Sequence, residues 1–364
     1  DRGGDWSSDV CSSDLLKDPD PVIKTRAAAG ELPDVSIVPS NSDPKDWPLY
    51  YVSLDDLGFT ADNLNSYANG VSSDKKLYAL NSGFGYSGIV YNKKAFIAAG
   101  IDKNPRTKAE FYVDCAKLKD KGIIPLASNF KDKWPLGIYS ADFSLAISNL
   151  NDPEYKNGLI KKDLFNEDNG LISGFKFLRD MKEKGFLEQD LMSTNWDQMK
   201  KDQATGKIAM AYLGTWYPPQ VIQSGAAKED VGMFPFPDTK AIPMSGDWKY
   251  AVSKNSKHPK EAKAFLKWLW EDGKYANALS LCSPIKGGKS NDPAITELLS
   301  YNLPSVTMDI DSPLTIQMFK DSRIDLAVAL QDYMTSKNTQ GVIKSYNAKW
   351  NKAKNSIVLA AVKD

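Results

Sequence analysis

The chain has 364 residues, 46 basic and 46 acidic side chains, a formal net charge of zero and 42% hydrophobic residues. That length is more than one core comfortably fills, so two domains are expected. The balanced charge speaks against nucleic acid as a partner, because phosphate binding needs a basic surface. A single histidine, His258, excludes most zinc sites and most imidazole acid–base chemistry, and three cysteines far apart make no metal or redox motif. No apolar run approaches the length of a membrane span.

Asp1 to Leu15 is rich in serine and aspartate and has no apolar period. The string resembles translated sequencing-adaptor read-through, so residues 1–15 are expected to be a non-native or disordered leader. The alternative is a lipid-anchored Cys11 with a polar linker, although no apolar segment precedes it. Val22 to Ala29 reads as a helix stopped by Gly30, and Val35–Val38 as a buried strand closed by Pro39. Lys76–Leu80 and Gly88–Asn92 read as strands around a Gly-rich turn. A short helix from Lys93 follows, ended by Gly100. Thr107 and Glu110 have capping-box spacing, and Phe111, Cys115 and Leu118 mark the buried face of the next helix.

Ile123–Ala127 reads as a strand, and Trp134–Asn149, Leu171–Lys184 and Ser193–Thr205 as helices. Lys207 to Leu213 is a short buried strand. Gly214 then allows a sharp turn, Thr215 can cap whatever helix follows, and Trp216 sits at the strand-to-helix edge where open α/β sheets bind ligands. On these residues alone Trp216 is either a packed core aromatic or a ligand-facing one. Val231–Pro235 is a further strand, Asp238–Asp247 a candidate linker and Tyr250–Val252 a strand. Pro259 opens a helix expected to bury Ala262, Phe265, Leu266 and Leu269. Leu303–Ser312 reads as another crossing segment, and helices at Ser322–Met334 and Gln340–Ala353 finish the chain. Strands alternating with helices predict α/β lobes with mostly parallel sheets.

Some motifs tempt and fail. Gly83-Phe84-Gly85-Tyr86-Ser87-Gly88 matches G-x-G-x-x-G, but a strand follows it where a nucleotide site needs a helix N-terminus. Gly288-Lys289-Ser290 lacks the first glycine of a phosphate loop. Carboxylate pairs such as Asp55-Asp56 and Asp309-Asp311 read as surface charges rather than a glycosidase dyad.

Several segments, in order, carry a resemblance. They are Ala27 to Val35, Tyr91-Asn92-Lys93-Lys94-Ala95-Phe96 with Ala99-Gly100-Ile101, and Pro105 with Thr107 and Glu110. Gly206 to Met210 with Gly214-Thr215-Trp216 follows, then Val231 to Pro235 and Ser256 to Phe265. From about Asp20 onward the chain resembles the extracellular solute-binding proteins of carbohydrate ABC importers, the family that includes maltose-binding protein. The resemblance implies an α/β, two-lobed periplasmic-binding-protein-like fold of type II, with a sugar cleft between lobes that close by hinge rotation. It implies lobe one from residues 16–104 and 252–305, and lobe two from 105–251 and 306–364. The family's first strand and most of its first helix have no counterpart here, which suggests a piece of a longer gene product.

Mapped onto this sequence, the resemblance implies ligand contacts at Trp216, Trp134, Asp247, Trp248, Tyr86, Gly85, Asn41 and Ser40. A pyranose has an apolar C–H face that packs on an aromatic ring and a rim of hydroxyls that suits Asp, Asn and Ser. It implies no catalytic residue, no metal and no cofactor. The partners would be a mono- or oligosaccharide and ABC transporter permease subunits, for a monomer that is periplasmic or lipid-anchored on the outer face of the cell membrane. Two rival readings are a glycan-acting enzyme, which needs a carboxylate pair with perturbed pKa values, and the same fold binding a peptide or an anion. The neutral, acidic and aromatic candidates favour sugar over an anion.

Overall fold

The computed structural model describes residues 20–361, apart from 40, 41, 66, 151, 153, 166–169, 280, 289, 291 and 308–311. The expected leader, Ser40, Asn41 and the Asp309-Asp311 pair lie outside the described residues. Nine strands occur among them: β1 (Val35–Val38), β2 (Leu80–Asn81), β3 (Phe84–Asn92), β4 (Ile124–Ala127), β5 (Ile208–Gly214), β6 (Val231–Phe234), β7 (Ile242–Gly246), β8 (Lys249–Val252) and β9 (Ser305–Thr307).

The chain divides into two compact units. The first holds the chain up to Phe84, then Gly246–Ala278 and Cys282–Lys289. Its three-stranded sheet has the order β1-β8-β2, with Val35 opposite Val252 and Leu80 opposite Tyr250. The helix Pro259–Trp270 buries Ala262, Leu266 and Trp270 with Leu54, Leu77, Leu80 and Val252. The Trp270 indole N–H donates to the Asn81 carbonyl at 2.6 Å, so even this buried ring has its one polar atom satisfied.

The second unit holds Gly85–Ser245, Leu279–Leu281 and Ser290 onward. Its six-stranded sheet runs β4-β5-β3-β7-β9, with β6 also paired to β3. β5 is buried along its whole length, as expected of an apolar run covered on both faces. The Tyr139 hydroxyl donates to the Ala127 carbonyl at 3.1 Å and accepts from the Tyr212 N–H at 3.2 Å, tying β4 to β5. The Phe143 ring packs edge-on against Tyr212, 4.6 Å between centroids, and against Phe236 at 4.9 Å. The helix Trp134–Ile138 runs into Ser144–Ile147 through one wide π turn, Tyr139–Phe143. The helix Lys108–Asp120 has the expected capping box between Thr107 and Glu110 and buries Cys115; Cys282 is buried as well.

The structure departs from the sequence reading in several places. The sheets are mixed: β4–β5 and β7–β9 are parallel, whereas β8 runs antiparallel to β1 and β2, and β3 antiparallel to β5 and β6. Antiparallel neighbours need no crossover helix between them, so the alternation of strands and helices did not specify direction. The chain passes between units after Phe84 and after Ser245, and again after Ala278, Leu281 and Lys289 because Leu279–Leu281 belong to the second unit, whereas the expected boundaries fall after residues 104, 251 and 305. Prolines and glycines mark loops, but the long strand β3 belongs with its hydrogen-bonded neighbours β5 and β6. The Gly-rich stretch is strand β3 rather than a turn, and the candidate linker contains strand β7. Lys76–Leu80 contributes only its last residue to a strand, β2. Phe265 is 47% exposed. The expected helix Ser322–Met334 is two helices, Pro313–Ser322 and Leu326–Thr335, separated by Arg323 in a left-handed conformation (φ 51°).

Candidate functional site

The end of β5 and the start of β3 lie side by side, with Ser87 opposite Gly214. There the Thr215 N–H donates to the Tyr86 carbonyl at 3.0 Å, and the Thr215 hydroxyl accepts from the Tyr86 N–H at 3.2 Å. Thr215 therefore clamps β3 to β5 instead of capping the helix Pro218–Gln223, whose N-cap is Tyr217 and has no side-chain bond.

This clamp sets Trp216 over two glycines. A Cβ on Gly214 would come within 2.3 Å of the Trp216 indole nitrogen, and one on Gly85 within 3.3 Å of its Cδ1. The ring needs bare backbone at Gly214 and leaves only tight room at Gly85, which accounts for the glycines without any unusual backbone angle. Trp216 is only partly buried. It stands in a group of three indoles. Trp134 lies 5.7 Å from Trp216 and 4.6 Å from Trp196, and Trp196 lies 6.0 Å from Trp216. Tyr217, fully buried, backs Trp196 at 5.1 Å. Trp134 is 43% exposed although it sits at the start of a helix in an aromatic-rich unit. Rings that meet each other at tilted or edge angles while keeping part of their surface open form an apolar face available to a ligand.

Lys200 lies near the Trp196 ring, its ammonium 5.7 Å from the centroid. The backbone N–H of Trp196 donates to the Asp132 carboxylate, two residues before Trp134. Asp132 thereby fixes the start of the helix Trp196–Ala204 against the segment that leads into Trp134.

In the first unit the candidates Asp247 and Trp248 form a second, separate group. Asp247 N–H donates to the Gly83 carbonyl at 2.9 Å, and Ser82 N–H to the Trp248 carbonyl at 2.8 Å. The Ser82 hydroxyl donates to Asp247 Oδ2 at 2.8 Å. Desolvation pushes the Asp247 carboxyl up from its ordinary value, and the bonds from Ser82 and the Trp248 N–H pull it partly back. Trp248 is 38% exposed.

Thus Trp216, Trp134, Tyr86 and Gly85 come together in one unit, and Asp247 with Trp248 in the other. Trp196 and Ser82 are members that the sequence reading missed. Trp196 had a readable signal: it is a large apolar residue at the first position of a helix, directly after the N-cap Asn195, where the core is not yet reached. Ser82 had none. Among the described residues no group of three His, Cys, Asp or Glu could hold a metal ion, and no helix is long and apolar enough to cross a membrane.

Over 358 aligned residues the chain is 27% identical to the multiple sugar-binding protein of Streptococcus mutans, covering 92% of this chain and 81% of that one. Among solved structures, BlMnBP1, a binding protein of an ABC transporter from Bifidobacterium animalis subsp. lactis in complex with mannobiose, superposes with a TM-score of 0.78 at 26% identity, over 92% of this chain and 84% of that one. RafE from Streptococcus pneumoniae in its apo form shares the fold, with a TM-score of 0.70 at 22% identity, over 92% and 87% of the two chains. The family model described as bacterial extracellular solute-binding protein matches residues 9–275. With that match running through well over half of its length, this chain belongs to the bacterial extracellular solute-binding proteins.

Proposed function

We propose that this protein binds a mono- or oligosaccharide outside the cytoplasm and delivers it to the permease of an ABC transporter, as a monomer and without chemistry on the sugar. The observation that carries the reading is the three-indole face of Trp134, Trp196 and Trp216, with Trp216 laid across Gly85 and Gly214. The apolar C–H face of a pyranose packs on such rings, whose π-faces are electron-rich. A carboxylate such as Asp247, oriented by Ser82, gives a sugar hydroxyl a charge-assisted hydrogen bond. The binding of mannobiose by BlMnBP1 supports the ligand class, and that protein's place in an ABC transporter supports delivery to a permease. A lipid anchor on the outer membrane face, or free residence in a periplasm, are the two locations consistent with this role. The proposed ligand residues Ser40 and Asn41 lie outside the described residues.

A thermal-shift screen against mannobiose, mannotriose, raffinose and other mono- and oligosaccharides tests the reading. A ligand that binds only the folded state raises stability by roughly 2.7 kcal/mol at a hundredfold excess over Kd. The expected result is a clear rise in Tm with at least one sugar, lost in Trp216→Ala, and no turnover of that sugar over hours. A well-folded protein indifferent to every sugar would sink the sugar reading, and steady hydrolysis would move it to a glycan-acting enzyme.

A further inference from the structure

Trp134 is exposed and Trp196 half-buried, yet the segment between them and the core is locked by one buried acid. Glu188 is 4% exposed. Its carboxylate accepts from the Ser128 N–H at 2.9 and 3.1 Å, from the Ser128 hydroxyl at 3.0 Å and from the Asn129 N–H at 3.1 Å. Desolvation pushes its carboxyl up from the ordinary value, and the bonds from Ser128, its own backbone N–H and Asn129 pull it back. Burying a carboxylate is costly unless donors converge on it, and here the Ser128 N–H and hydroxyl and the Asn129 N–H do.

Ser128 and Asn129 open the segment that connects β4 to Trp134. That segment bends through two positive-φ residues: Asn129 (φ 47°, ψ 46°), a type that takes the left-handed region readily, and Lys133 (φ 65°, ψ −55°), which holds such angles only when its surroundings fix it. Phe130 is tied from outside by the Gln331 amide, which donates to its carbonyl at 2.7 Å. Asp132 in turn accepts the Trp196 N–H. One end of the segment therefore delivers Trp134, its middle anchors Trp196, and its beginning rests on Glu188.

We propose that Glu188 is the positioning residue of the tryptophan face, locking residues 128–133 so that Trp134 and Trp196 meet Trp216. Carboxylate chemistry is what the place requires. Two acceptor oxygens serve the Ser128 N–H, the Ser128 hydroxyl and the Asn129 N–H together. An amide has one acceptor oxygen and turns an N–H₂ toward the rest. The consequence for the sugar rests on the proposed function; the geometric role does not.

The test uses the full chain labelled with 5-fluorotryptophan, with the lines of Trp134, Trp196, Trp270 and Trp350 assigned by single Trp→Phe variants. In ligand-free Glu188→Leu, the ¹⁹F lines of Trp134 and Trp196 are expected to shift or broaden while those of Trp270 and Trp350 stay. Glu188→Gln is expected to shift the same two lines by less, and it decides the matter if the leucine variant fails to fold. Mannobiose titrated into the same samples is expected to bind the leucine variant at least tenfold more weakly. A folded variant whose Trp134 and Trp196 lines do not move overturns the proposal, and so does a change spread equally over all four lines. A wild-type chain that binds neither mannobiose nor any other sugar overturns the proposed function instead, and leaves the ¹⁹F result to judge Glu188.

Discussion

At Gly214 the absence of a side chain decides where an indole can lie. A methyl group there would sit 2.3 Å from the Trp216 nitrogen, so Gly214→Ala must displace the ring. We expect this variant to lose sugar binding like Trp216→Ala, at a stability cost of about 1–3 kcal/mol for the overpacking; titration calorimetry and a melt separate the two effects. Asp247 presents the opposite trade. Its folded-state pKa is raised, so the folded state holds the proton more tightly than the unfolded chain does. That favours folding below the ordinary value of 3.8, and the benefit is lost as pH climbs through the raised value. Once ionised, the group is therefore a burden on the unliganded fold. Asp247→Asn is expected to raise the Tm at pH 7 while weakening sugar binding roughly 10- to 100-fold, the worth of one hydrogen bond to a charged group. A variant that binds as well as wild type would remove Asp247 from the site. Trp216 stood out in the sequence because it follows an apolar run and a glycine, but only the fold shows that Gly85, far away along the chain, makes room for the same ring.

Among the elements, the helix Lys108–Asp120 was the most legible, because its start is set by side chains next to it in sequence. The Glu110 carboxylate accepts from the Arg106 N–H at 2.7 Å and the Thr107 N–H at 3.1 Å. The first of these bonds, then the second, holds its pKa below the ordinary 4.5. The stabilisation is present above that value and is lost as pH falls through the lowered one. Between pH 5 and 3 the wild-type Tm should fall more steeply than that of Glu110→Gln; parallel slopes would remove Glu110 from the acid response. Thr107→Ala should cost about 1 kcal/mol by the same melt at pH 7. The helix Pro259–Trp270 was read less well. Its pattern contains two apolar stripes, and the one at four-residue spacing through Ala262, Leu266 and Trp270 is buried. The neighbouring stripe leaves Phe265 and Trp268 exposed and stacked on each other. Periodicity finds both stripes and cannot say which one faces the core.

For the whole molecule, alternation of strands and helices was enough to identify an α/β protein in two parts. Strand direction and the points of passage between the parts were not, because both depend on pairings between residues more than a hundred positions apart, such as Val35 with Val252 and Tyr91 with Met210. A candidate site residue was legible where it stood at the end of its own strand, as Trp216 does. It was illegible where a second segment supplied it with no local mark, as with Ser82, while Trp196 carried a mark, its place at a helix start, that went unread. One feature of the core has a practical use. Both cysteines of the described chain, Cys115 and Cys282, are buried, and desolvation pushes the Cys115 thiol well above the range in which it ionises. With Cys11 changed to serine, a cysteine installed at Met192, which is 54% exposed and four residues before Trp196, would be the thiol that a maleimide dye reaches. The labelled protein would then serve as a reagentless optical sensor, its brightness tracking the arrival of sugar at the neighbouring indoles.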